Sequence, residues 1–145
     1  MSTKKTIINW VNNFVAVFNP KFGGIPCPFA AAAMKTNRVS FKWTKNLSSL
    51  KMTINKLVDM PKDKDVLVYY MKVEMNSLDE VYEFTENYNE WYQNNDIDLF
   101  ILFDHPERVE YIKGVHMNFS KDTILILIQR HSKLLKAREQ LHSEN

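Results

Sequence analysis

The chain is poor in the residues that build covalent or metal-held scaffolds. One cysteine, Cys27, stands among 145 residues. That excludes an internal disulfide and any zinc or iron–sulfur centre built on several cysteines. With only three glycines, neither the Gly-x-Gly-x-x-Gly fingerprint nor the Gly-Lys-Ser/Thr phosphate loop occurs. His-Glu-x-x-His and a serine nucleophile elbow are missing too, so no metal site is expected. No apolar run nears the roughly 20 residues that span a bilayer. The opening Met1-Ser2-Thr3-Lys4-Lys5 lacks the apolar centre of a secretory signal. A net charge of +2 without a Lys/Arg run gives no footprint for nucleic acid. The expectation is a cytoplasmic protein of one domain, residues 1–145, with neither membrane nor nucleic acid as partner.

What is present is concentrated first in Pro20-Lys21-Phe22-Gly23-Gly24-Ile25-Pro26-Cys27-Pro28-Phe29-Ala30. A glycine pair permits positive φ or a close approach, and the flanking prolines stiffen the turn. Pro28 suits the first position of a short helix over Phe29–Lys35, where its missing N–H costs nothing. Cys27 then falls at the N-cap, among unpaired amides and the positive end of a helix dipole. Such a setting lowers a thiol pKa and is one place where reactive cysteines occur.

The rest alternates between helical and extended patterns. Residues Thr6–Phe18 carry Ile7, Ile8, Val11, Phe14, Val15 and Phe18 on one face, an amphipathic N-terminal helix stopped by Asn19-Pro20. Arg38 to Trp43 alternates as a half-buried strand. Leu47 to Val58 reads as a helix with Leu47, Leu50, Ile54, Leu57 and Val58 inward. Val66 to Met71 is apolar enough for mid-sheet. Ser77-Leu78-Asp79-Glu80 has capping-box spacing and opens the aromatic helix Leu78–Tyr92. Ile97 to Phe103 is a third strand, stopped by Asp104-His105-Pro106, and Lys113-Gly114 marks a turn. Ser120 or Asp122 is placed as the cap of a last helix carrying Ile124, Leu127, Ile128, His131, Leu134, Leu135 and Arg138. The β-branched run Thr123–Ile128 is alternatively a fourth strand. The fold class expected is α/β in the broad sense, an α+β two-layer sandwich of three or four strands with helices packed on the sheet.

The order of elements, with Cys27-Pro28-Phe29-Ala30, a strand opening at Arg38, and Phe103-Asp104-His105-Pro106, resembles a family of small bacterial proteins known as domain of unknown function 1415. The likeness covers Trp10 to about Arg138 and is loose outside the two short motifs. It points to Cys27, Pro28, Phe29, Ala30, Arg38, His105 and Pro106, and more weakly to Asn118 and Ser120. Here the Gly-Gly segment lengthens the approach to the cysteine and Asp104 interrupts Phe-His-Pro. The family's Asn-Arg-Ser-Pro-Tyr-Pro is reduced to Asn118-Phe119-Ser120-Lys121-Asp122-Thr123. That family being uncharacterised, the resemblance implies positions and no activity.

Three functional readings follow. In the first, Cys27 is a nucleophilic or redox-responsive thiol assisted by Arg38 and His105, with Gly23, Gly24, Phe29 and His116 as binding residues. Against it, a lone cysteine is commonly an inert small hydrophobe, and Arg38 and His105 each have ordinary structural uses. The second is non-enzymatic: Tyr82, Phe84, Tyr88, Trp91 and Tyr92 exceed what one helix face buries, and surplus aromatics suit a partner surface or a homodimer. The third treats Cys27-Pro28 as a haem-thiolate contact, chemically sound but carried by two residues. No cofactor is otherwise expected. Substrate, small-molecule ligand and protein partner are not named by these residues.

Overall fold

The computed structural model describes residues 3–133 together with 135 and 136. Helix α1 (Thr3–Trp10) runs on into a π-helical turn, Val11–Val15. Helix α2 (Pro28–Lys35) starts at its proline, with Cys27 as N-cap in extended conformation. Strand β1 (Val39–Trp43), helix α3 (Leu47–Ile54) and strand β2 (Val66–Lys72) follow. After a 3-10 turn comes helix α4 (Leu78–Asn94), then strand β3 (Phe100–Asp104). A hairpin of β4 (Tyr111–Ile112) and β5 (Val115–His116) leads to strand β6 (Thr123–Gln129).

The four longer strands form one mixed sheet in the order β1-β2-β6-β3. β1 and β2 are parallel, joined by α3 as a crossover. α4 carries the chain from β2 past one position to β3, and β6 fills the space between them, antiparallel to both. The two central strands are buried almost throughout, because helices cover both faces. On one face α3 and α4 pack Leu50, Ile54, Val81 and Tyr92 on Leu67, Ile101, Ile124, Ile126 and Ile128. On the other, α1, the π turn and α2 set Ile7, Trp10, Ala33 and Met34 over Phe41, Val66, Val68 and Leu125. Each fully buried Ile or Leu contributes about 1.5–3 kcal/mol, so both layers are held chiefly by burial.

The expected α+β class, with its amphipathic first helix, is what the structure shows. Helices lie on both faces of the sheet, so the N-terminal segment adds a third layer to the two expected. The capping box holds: Ser77 Oγ accepts from Glu80 N while Glu80 Oε1 accepts from Ser77 N. The Lys113-Gly114 turn holds as well, both residues having positive φ as a two-residue hairpin requires.

One alternative is resolved and two expectations are corrected. First, of the two readings of Thr123–Ile128 the structure shows the strand, the fourth of the sheet, and the last helix does not begin at Ser120 or Asp122. A strand buried on both faces shows no alternation, and its residues then match helical spacing by coincidence. Its supposed caps make a tight local turn instead, Asp122 N donating to Ser120 Oγ and Ser120 Oγ to Asp122 Oδ1. Helix resumes only at His131, and the expected positions Leu134 and Arg138 lie outside the described residues. Second, α3 stops at Ile54, leaving Val58 67% exposed. Third, the π turn adds a residue to its loop, Ala16 N donating to Val11 O. The chain has left the helix by Phe18, which is 65% exposed.

Candidate functional site

Between the N-terminal helical layer and the sheet lies a cavity of about 230 Å³. Its floor follows from the alternation of the strands. Since Ile124, Ile126 and Ile128 face α3 and α4, the intervening Leu125, Leu127 and Gln129 face the opposite layer, and these three line the cavity. Val66 and Val68 of β2 and Leu102 and Asp104 of β3 join them. The roof is Ile7, Trp10, Val11 and Val15, with Cys27, Phe29 and Met34 from the start and flank of α2. Glu110 and Met117 close the side beyond Asp104.

The wall is apolar except at two ends. Gln129 is 4% exposed, and its Oε1 has no hydrogen-bond partner. A buried acceptor left unpaired costs about 1–3 kcal/mol. The side chains of Thr85 and Tyr92 also hold unpaired buried oxygens, but neither residue lines this cavity. At the other end Asp104 Oδ1 accepts from Asn118 Nδ2 at 2.6 Å and Oδ2 from Phe119 N at 2.8 Å. Burial pushes the Asp104 carboxyl above the usual range, the nearby Glu110 charge adds to this, and the two hydrogen bonds oppose it.

The residues expected to act together are placed apart in function. Cys27 and Phe29 line the cavity, whereas Arg38 and His105 do not. The Cys27 N–H donates to Val15 O at 3.0 Å and its carbonyl accepts from Ala31 N, which ties the cysteine to the π turn. Arg38 is committed elsewhere, its Nε 2.8 Å from Asp65 Oδ2 and its Nη2 donating to Lys62 O. Arg130 and Lys133 converge on the same carboxylate, and the Arg38 hydrogen bond first of all holds Asp65 well below the usual carboxylate range. His105 is 1% exposed. Its Nδ1 accepts from Glu107 N, which leaves the proton on Nε2 to donate to Asn76 O. Both ring nitrogens are therefore occupied: Nε2 joins the end of β3 to the residue before the α4 cap, and Nδ1 holds the turn at Glu107.

The Gly23–Gly24 pair serves the turn. Gly23 has φ +81, its N–H donates to Asn19 O, and Gly24 forms a bridge with Asn19. His116 sits exposed on the hairpin against Tyr111. Among the described residues no cluster of His, Cys, Asp and Glu is arranged to hold a metal ion. No helix of the described residues is long and apolar enough to cross a membrane. Set against models of known families, curated proteins and solved structures, the chain matches none.

Of the aromatic helix, Tyr88 and Tyr92 belong to the core. Tyr82 meets Phe103 edge-on beneath the Arg108 guanidinium. Trp91, Phe84 and Tyr88 border an open groove of about 470 Å³ between α3 and α4, shared with Glu80, Glu83 and Lys51. Sequence reasoning found Cys27 and Phe29 but missed Gln129 and Asp104. The available signal was a glutamine closing the otherwise apolar run TILILI.

Proposed function

We propose that this protein binds a small, mostly apolar molecule in the cavity beneath its N-terminal helices, and that Cys27 is the reactive side chain of that site. One observation carries the reading: a buried amide oxygen without a partner stands at the wall of an apolar cavity that the cysteine also lines. Structural polar groups at this depth are normally paired, so an unpaired one facing a cavity is best explained by an occupant. The π-helical turn over the cavity adds support, as such turns recur at functional sites. The likeness of Cys27–Ala30 to the uncharacterised bacterial family is in keeping with this choice of residue. At about 230 Å³ the space is above the ~150 Å³ that takes benzene and below the ~300–1,000 Å³ of larger ligand sites. A haem macrocycle is too large for it.

Thiol labelling tests this. The rate at which iodoacetamide alkylates Cys27 in the full chain is measured with and without saturating toluene or 1-octanol. Occupancy is expected to slow labelling several-fold. A rate unchanged by both compounds overturns the reading. The second reading, a partner surface on α4, is favoured by the open groove beside Trp91. Trp91→Ala removing an interaction that Cys27→Ser leaves intact is its signature.

A further inference from the structure

Resting on that reading, the geometry points to the chemical class of the occupant: we propose a small uncharged apolar body, such as an alkyl chain, ending in a hydroxyl, with the hydroxyl donating to Gln129 Oε1. The floor of the cavity reaches from Val39 and Phe41 of β1 to Leu102 and Asp104 of β3, with its polar side chains set apart along the strands. Asp104 pairs with Leu125, and Gln129 lies four residues further along β6, about 13 Å at ~3.3 Å per residue. A volume of about 230 Å³ between these groups holds one alkyl chain of medium length or a small ring system. The distance is close to the extended length of 1-octanol.

Charge follows from the two ends. Asp104 and Glu110 stand at one of them, so a ligand carboxylate there meets like charge. Placed at the Gln129 end instead, any ion is stripped of water with one neutral amide to receive it. The head group is therefore neutral. It is also a donor, because the unpaired atom is an amide oxygen, which accepts and cannot donate. A hydroxyl meets both conditions, and an ether or ketone of the same shape meets only the first. The body of the chain lies on Leu127, Leu125, Val68 and Leu102, beneath Val11 and Val15.

The test compares 1-octanol, 1-methoxyheptane and octanoate by calorimetric titration of the full chain, first with the unaltered protein and then with Gln129→Met. Methionine keeps the length of the side chain and removes the acceptor. On the unaltered protein the alcohol is expected to bind about tenfold more tightly than its ether isomer, one neutral hydrogen bond's worth, and octanoate more weakly than either. Gln129→Met is expected to bind alcohol and ether alike. Equal binding of alcohol and ether by the unaltered protein, or a preference for octanoate, overturns the assignment of the head group while the cavity reading stands. No binding of any of the three, with Cys27 labelling indifferent to them, overturns the cavity reading and this inference with it. The first comparison needs no variant, so a failure of Gln129→Met to fold does not rescue the idea.

Discussion

Replacing Asp65 by asparagine removes the one negative charge on which Arg38, Arg130 and Lys133 converge. The asparagine keeps one acceptor and turns an amide N–H₂ toward cations that need acceptors. The Asp65 side chain is 8% exposed, against 30% for Arg38, 18% for Arg130 and 48% for Lys133. Breaking a buried pair costs about 3–5 kcal/mol, and exposed pairs are worth about 0–1 kcal/mol. With a buried anion and half-wet cations, about 2–3 kcal/mol is expected at pH 7, lowering Tm by roughly 5–10 °C. The sign with pH is fixed by linkage. Because the folded carboxyl titrates below its unfolded value of about 3.9, its stabilisation is complete above that value. It fades as pH falls toward the folded pKa. Urea unfolding of both proteins at pH 7, 5, 4 and 3 should show the gap constant down to pH 5 and shrinking below 4. A gap under about 0.5 kcal/mol at pH 7, or one indifferent to pH, refutes the assignment of Arg38 to a structural ion cluster. Arg38 would then be available for the thiol chemistry first expected of it.

Two further substitutions probe the packing on the far face of the sheet and the loop beyond β3. Tyr92→Phe deletes a buried hydroxyl that has no partner; Tm is expected to hold or rise by a few degrees, and a loss above about 1 kcal/mol contradicts the placement of that oxygen. Asn118 ties the hairpin segment to β3, its Nδ2 donating to Asp104 Oδ1, His105 O and Arg108 O while its Oδ1 accepts from Glu110 N. Asn118→Ala is expected to cost about 2–4 kcal/mol and to speed amide exchange at Glu110 and Phe119, with exchange in α4 unaltered. Uniform acceleration throughout the chain would show that the bonds are not local to this segment.

The helices with explicit stop and start chemistry were legible in the sequence. Ser77 with Glu80, Pro28 after Cys27, and the Lys113-Gly114 turn each state their local geometry without tertiary help. β6 was legible only as one of two alternatives, because burial on both faces erases the period of two that distinguishes a strand. Left open between helix and strand, it hid half of the site, since Gln129 faces the cavity only once β6 is a strand in the register Leu125, Leu127, Gln129. The pairing of Arg38 with Asp65 spans 27 positions, beyond any spacing rule. His105 was read from its place after a strand, where an exposed loop and a buried strap look alike. Cys27 was legible as an N-cap, yet what it faces depends on which helices lie over the sheet.

The most direct test of the account is where an occupant sits. Intermolecular nuclear Overhauser effects between 1-octanol and the methyl groups of the labelled protein are predicted at Leu125, Leu127, Val68 and Met34, with the hydroxyl end nearest the Gln129 side-chain amide. Contacts confined instead to the α3–α4 groove, at Leu47, Phe84 and Trp91, would contradict it.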